Sequence, residues 1–247
     1  MPLRPSLNAA VAAALMCLGS ACQPGEAVQS EQAEGNPELG LMGTIPIYWG
    51  EAGDFGEVLA GDSAAHWARP RLEAHFRLRP IDSLAGPGLA GLDYLLLAQP
   101  RALSPAENVA LDSWVRDGGK LLLFADPMLT GESRFAIGDR RRPQDVILLS
   151  PILQHWGLGL QFDDSSDEEA TAVRMSDVQV PVDLPGTFVA RDGEADCEIR
   201  AQVLAVCAIG RGRAVILADA ALLDLHHAHP EAPAALDWLL AESFGQR

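Results

Sequence analysis

The stretch Leu92–Pro127, LDYLLLAQPRALSPAENVALDSWVRDGGKLLLFADP, reads as one strand–helix–strand unit. Two short apolar runs, Leu92–Ala98 and Leu121–Ala125, each stop in a polar tip: Gln99-Pro100-Arg101 and Asp126-Pro127. Between them, Ser104-Pro105-Ala106-Glu107 forms a capping box with proline at the first helical position. Ala106, Ala110, Leu111, Trp114 and Val115 recur at helical spacing and give one apolar face. Asp112 and Arg116 stand four apart and can pair on the wet face. Gly118-Gly119 ends the helix, because glycine accepts left-handed cap geometry cheaply. Such a crossover is right-handed and makes its two strands parallel. In an open parallel sheet, ligands gather outside the carboxyl ends of the strands. The tips Gln99, Arg101 and Asp126 are therefore candidate site residues.

Working outward, Leu41–Trp49 reads as a first strand ending at Gly50-Glu51. A helical signal follows over Ala64–Phe76, and Leu78–Ile81 is a short second strand. Thr130–Pro143 is a loop holding the run Arg140-Arg141-Arg142, a solvated basic cluster. Ser150-Pro151 opens a short helix that Gly157 closes. Gln161–Ala170 is an acidic insertion, and Val178–Val189, with two prolines, is at best an edge strand. Ala201–Ala208 and Ala214–Ala218 are strands joined by the glycine-rich turn Ile209–Arg213, with Asp219 at the tip of the second. Pro233–Phe244 is a C-terminal helix carrying Leu236, Trp238, Leu239 and Leu240. If the sheet is parallel, Trp49, Glu51, Gln99, Arg101, Asp126 and Asp219 converge on one edge as a ligand-binding or partner site. The competing reading of the aspartates is as turn formers, since Asp126 precedes Pro127.

The 247 residues, 48% of them hydrophobic, suit one globular domain preceded by a processing segment. Eighteen Lys and Arg against 34 Asp and Glu give a formal charge of −16, which argues against nucleic acid as a partner and against electrostatic docking on anionic lipid. Arg4, the apolar run Leu7–Leu18 and Gly19-Ser20-Ala21-Cys22 read as a signal peptide over residues 1–21. The segment resembles a bacterial lipoprotein leader with Cys22 as the acylated residue. Leucine stands four before that cysteine instead of three, so ordinary signal peptidase cutting after Ala21 is the alternative. Residues 22–40 form a solvated tether. Gln23 lacks the aspartate that favours inner-membrane retention, which points to an outer-membrane anchor facing the periplasm.

Cys17 leaves with the leader, and acylation of Cys22 leaves two thiols, Cys197 and Cys207. These lie symmetrically about Gln202. If the chain turns back there, they face each other across two strands, and in an oxidising compartment they form a disulfide.

The segments LLLAQPRALSP (95–105) and LDSWVRDGGKLLLFADP (111–127), with SPILQHWGL (150–158) and the ending IGRGRAVILADAALL…LDWLL, resemble the class I glutamine-amidotransferase-like domain. The match is to its non-catalytic form in auxiliary components of gliding-type ABC transport systems, and it spans most of residues 41–244. The resemblance implies one α/β domain over 41–247, a three-layer flavodoxin/amidotransferase-like arrangement with a mostly parallel sheet and a C-terminal β-hairpin. It implies binding or scaffolding in an envelope transport system, with a transporter subunit as protein partner, a lipid anchor to the membrane, and neither cofactor nor metal. True amidotransferases place a nucleophilic cysteine on a tight turn after a strand. Here the corresponding tips carry no cysteine.

A second class of function is a serine hydrolase. Gly61-Asp62-Ser63 resembles the nucleophile block of SGNH-type enzymes, and Asp224-Leu225-His226-His227 resembles their Asp-x-x-His, which would make Ser63, Asp224 and His227 catalytic. Only Val58-Leu59-Ala60 precede the glycine, too short a run for the strand such a serine needs. His226, His227 and His229 with Asp224 and Glu231 also carry metal-binding side chains, and their simpler reading is a polar loop before the last helix.

Overall fold

In the computed structural model of the chain, residues 35–51, 56, 65–162, 171–225 and 229–245 are described. A seven-stranded sheet is built from β1 (Glu38–Gly43), β2 (Arg77–Pro80), β3 (Tyr94–Ala98), β4 (Lys120–Phe124), β9 (Asp196–Arg200), β10 (Leu204–Ile209) and β11 (Gly212–Leu217). Its order is β2-β1-β3-β4-β11-β10-β9. The pairs from β2 to β11 are all parallel, and β11–β10 and β10–β9 are antiparallel. Two short antiparallel pairs lie apart: β5 (Leu158–Gln161) with β8 (Thr187–Ala190), and β6 (Ala172–Met175) with β7 (Val178–Pro181). The helices are α1 (Ala68–Glu73), α2 (Pro105–Arg116), α3 (Ser150–His155) and α4 (Ala232–Phe244). The chain is thus α/β with a mostly parallel sheet.

The Leu92–Pro127 unit folds as its pattern dictates. Tyr94 pairs with Lys120 and Ala98 with Phe124, and Leu95, Leu96 and Leu97 are fully buried. Burial on both faces explains a continuous leucine run where a half-exposed strand would alternate. Leu96, Leu122 and Val215 face a core shared with Leu72 of α1 and with Leu236 and Leu239 of α4. Leu95, Leu97 and Leu121 face a second core with Leu111 and Val115 of α2 and Ile152 and Leu153 of α3. Side chains alternate across a strand, so one apolar run feeds both cores. Gly212 lies where a Cβ would come within 2.0 Å of the Val115 carbonyl, which lets β11 start hard against the end of α2.

The capping box is present, and its glutamate does more than cap. The Glu107 side chain is 4% exposed and accepts from Ser104 N, Ser83 Oγ, Leu84 N and both terminal nitrogens of Arg101. One residue therefore ties the loop just after β2 to the start of α2. Arg101 and these hydrogen bonds hold the Glu107 carboxyl well below the usual range.

Several elements differ from the sequence expectations. The first strand starts at Glu38 and ends at Gly43, three residues inside the expected tether and short of Trp49. Leu39 pairs with both β2 and β3 and is fully buried, while Glu38 bonds Arg77 and Arg79 of β2. These long-range pairings outweigh the glutamate-rich local composition. The helix expected over Ala64–Phe76 is only Ala68–Glu73 among the described residues. Val178–Val189 supplies two strands in two different sheets, and β5, β6 and β9 carried no periodic signal. The β10–β11 connection is only Gly210-Arg211, because Ile209 and Gly212 themselves pair. The residues of the Cys22 leader and most of the acidic insertion lie outside the described residues.

Cys197 of β9 stands directly opposite Cys207 of β10, and the two form a disulfide. The turn between them puts Ala201 and Gln202 at φ 45 and 63, a strained arrangement for side-chain-bearing residues. Replacing both cysteines with alanine should lower unfolding free energy by about 3 kcal/mol in urea titrations, the chain-entropy value for so short a loop. Glu107→Gln should remove roughly 2 kcal/mol, since a neutral amide cannot satisfy the same donors. It should do so without changing the disulfide.

Candidate functional site

Between β1 and β3 the winding of the sheet reverses, since β2 lies on one side of β1 and β3 and β4 lie on the other. The crevice outside the carboxyl ends of β1 and β3 is where an open α/β sheet binds ligands. Gln99, Asp126 and Asp219 follow β3, β4 and β11 and stand on this edge, as the tip positions require. All three are at most 1% exposed.

Their polar atoms are committed to the protein's own backbone. Gln99 donates through Nε2 to Asp126 O at 2.9 Å and to Gln144 O at 2.8 Å, and its Oε1 accepts from Asp126 N at 2.9 Å. Its backbone sits at φ 49, the left-handed region, on the turn between β3 and α2. Strained strand-to-helix turns of this kind carry nucleophiles in some enzymes. Here the position holds an amide. Asp126 accepts from Met128 N at 2.7 Å and Ala220 N at 3.0 Å. Asp219 accepts from Ala221 N at 2.7 Å and Asp183 N at 2.9 Å.

The crevice itself is filled by the chain. Thr44, just past β1, donates its hydroxyl to Gln99 O at 2.5 Å and accepts from Gln144 N at 2.8 Å. Ile147 N donates to Asp126 O and Leu129 N to Asp145 O. Residues 144–147 thus lie across the carboxyl edge like an inserted ribbon. Thr44 and Gln144 were not singled out in the sequence, because neither sits in a motif. The strand-tip rule that picked out Gln99 and Asp126 does not reach a long loop folding back on the sheet.

The other expected members of the edge are placed differently. Arg101 turns to Glu107 and to Asp82 O, on the α2 side of its strand tip. Glu51 is buried and accepts from Arg134 N at 2.9 Å, tying the chain beyond β1 to the long loop. Trp49 is 58% exposed and meets Tyr48 edge-on at 4.7 Å between ring centres. A small cavity of about 30 Å³ lies near Glu51, Leu129, Ala220 and Asp224.

Ser63, His226 and His227 lie outside the described residues. Asp224 is described, and its carbonyl accepts from Trp67 Nε1 at 3.1 Å. Among the described residues no three His, Cys, Asp or Glu side chains are grouped to hold a metal. Among them, too, no helix is long and apolar enough to cross a membrane.

Residues 55–190, more than half of the chain, match the family of auxiliary components described as an ABC-type uncharacterized transport system. The chain belongs to this family. It is an auxiliary component of an ABC-type transport system, and association with such a system points to the cell envelope. No curated protein matches it. Among solved structures, the N-terminal domain of mmIFT52 is similar at 13% identity, covering 83% of this chain and 96% of that one, with a TM-score of 0.50. A beta-galactosidase from Rahnella sp. R3 is similar at 14% identity, over 84% of this chain and 31% of that enzyme, with a TM-score of 0.48. A ThuA-like protein from Bacteroides uniformis is similar at 9% identity, over 90% and 98%, with a TM-score of 0.43. At such identities the likeness is one of fold.

Burial pushes the Asp126 carboxyl up to about 6 and Asp219 well above the usual range, and the neighbouring Asp183 carboxylate pushes both the same way. Both groups bind protons more tightly folded than unfolded. The contribution of Asp126 to stability is therefore fully present below the unfolded value of 3.8 and lost as pH rises through about 6, and that of Asp219 is lost in the same direction. His66 runs the other way, because burial lowers it. The difference between parent and Asp126→Asn isolates the aspartate. Thermal melts from about pH 5 to about pH 8 should show a shallower fall in Tm for Asp126→Asn than for the parent.

Proposed function

We propose that this auxiliary component is a non-enzymatic binding or scaffolding subunit of its transport system, held at the membrane by a lipid on Cys22. In this reading the domain that begins with β1 is a three-layer, flavodoxin-like domain of the class I amidotransferase type that no longer performs that chemistry. The observation that carries it is the filled carboxyl edge. Gln99, Asp126 and Asp219 spend their polar atoms on backbone groups of the protein, and residues 144–147 occupy the crevice where a substrate would enter.

A hydrolytic or transfer site needs a nucleophile and a base within hydrogen-bond reach, facing a space for the reacting atom. At this edge the strained turn residue is an amide, and the two carboxylates each accept from two backbone N–H groups. Such an edge is suited to holding loops in a fixed shape. A fixed loop surface is what a partner subunit can recognise without paying an ordering cost. Trp49, Met128, Val146 and Leu148, exposed beside or on these loops, provide apolar contact area for it.

The test is recovery from native membranes. The full chain, tagged at its C-terminus and solubilised in mild detergent, should bring down a permease or ATPase subunit, and mass measurement of the mature N-terminus should give diacylated Cys22. Replacing Met128, Val146 and Leu148 together with serine should reduce that recovery at least about fivefold, with the thermal melt little changed. Recovery of no transport subunit would overturn the binding reading, and an unmodified Cys22 would overturn the anchor.

A further inference from the structure

Residues 134–142, RFAIGDRRR, lie on the long loop between β4 and α3 and hold four of the chain's 18 cations and one acid, in a protein of formal charge −16. By sequence the run is a solvated basic cluster, and the structure gives it a fixed shape. Asp139 N donates to Ala136 O at 3.0 Å across Ile137 and Gly138, and Gly138 sits at φ 86, as the third position of a type II turn requires. Arg142 N then donates to Asp139 O at 3.1 Å and closes a second turn. Phe135, 9% exposed, is the small core of the loop. The Arg141 guanidinium carbon lies 4.1 Å from its ring centre, and Arg142 Nη1 donates to its carbonyl at 3.0 Å. Arg134 N, donating to Glu51, ties the loop to the chain beyond β1.

This scaffold displays Ile137. It is 90% exposed, the highest value of any large apolar side chain among the described residues. Its neighbours Ala136 and Gly138 are exposed as well. The second position of a type II turn is set by backbone angles, so the turn itself has no use for an aliphatic side chain there. The cations after it are unequally engaged. Arg141 is held on Asp139 through Nε and Nη2. Arg140 is exposed and forms no ion pair with a described residue. The Arg142 side chain pairs with no described acid and spends one N–H on the Phe135 carbonyl. The two turns thus set an aliphatic tip beside arginines that the described chain leaves without acids.

We infer that residues 134–142 dock on a protein partner that carries an apolar socket rimmed by carboxylates: Ile137 enters the socket, and Arg140 and Arg142 meet the rim. The inference rests on the binding reading above and names the partner's chemistry. A guanidinium fork matches a carboxylate with two hydrogen bonds, and interface energy concentrates on an anchor enclosed by polar contacts. The loop is ordered by its own turns, so docking costs little entropy. An anionic lipid surface is extended, and would bring its charge against the acidic remainder of the chain as well as against the loop. A socket of the loop's own size meets the loop alone.

Photo-crosslinking in native membranes tests this. The full chain carries a diazirine-bearing aliphatic amino acid at position 137 or, as control, at position 109 of α2, where Val109 is 67% exposed. Mass mapping after irradiation should give an adduct from 137, and none from 109, to a permease or ATPase subunit, at a segment holding Asp or Glu beside apolar residues. Arg140→Glu should lower the adduct yield at least about fivefold, because reversal sets like charges together, and leave the thermal melt unchanged. Raising sodium chloride from about 0.15 M to about 0.5 M should lower the yield as well. Recovery of a transport subunit in the pull-down with no adduct from position 137 would overturn this inference and leave the binding reading standing, whereas recovery of no subunit overturns both. An adduct to lipid, an adduct to a segment without carboxylates, or a yield indifferent to Arg140→Glu would also overturn it.

Discussion

Backbone N–H groups brought to the buried carboxyl edge of a parallel sheet must find acceptors there, and the architecture of this protein follows from how they do. Water does not reach Asp126 or Asp219, and an unpaired buried donor costs about 1–3 kcal/mol. Asp126 takes up Met128 N and Ala220 N, Asp219 takes up Ala221 N and Asp183 N, and the Gln99 amide bridges Asp126 and Gln144. Three strand tips thus hold loops from four parts of the chain. Each carboxylate is buried at an electrostatic cost, which its raised proton affinity reflects. The position that would carry chemistry in an open edge serves here to fix loop shape.

The same economy appears at the start of α2. Glu107 is a cap by sequence and a hub by structure, since the loop after β2 and Arg101 converge on it. Arg101 is thereby drawn away from Asp126, although both follow adjacent strands. Glu107 presents both oxygens to the guanidinium fork, beside its bonds from Ser104, Ser83 and Leu84.

Beside that edge, sharing Val146 and Ile147 with the ribbon, lies a cleft of about 590 Å³. The sheet edge gives rigidity to the loops of an ABC transport auxiliary component, and the α3–β5–β8 region retains open volume. Short strand pairs outside the main sheet build that volume, because β5 and β8 pair with each other and leave α3 standing over them.

Leu92–Pro127 was legible because it is local. Its capping box, its leucine runs and its paired Asp112 and Arg116 concern residues within a few positions of one another, so composition and period determine them. The facing of Cys197 and Cys207 was legible for a similar reason, as their symmetry about Gln202 suits a short reversal. β1 was misplaced toward Trp49, and β5, β6 and β9 were missed, because those strands are made by distant partners and not by pattern. The candidate edge residues were named correctly as strand tips in the cases of Gln99, Asp126 and Asp219. Whether those tips are open or filled was not legible, because residues 144–147 reach them from a loop with no periodicity. Sequence alone determined the strand–helix–strand frame and the chemistry at its tips, because propensity and capping act within a few residues. Only the tertiary structure decided what those tips contact, because backbone donors from distant loops compete for the same buried acceptors.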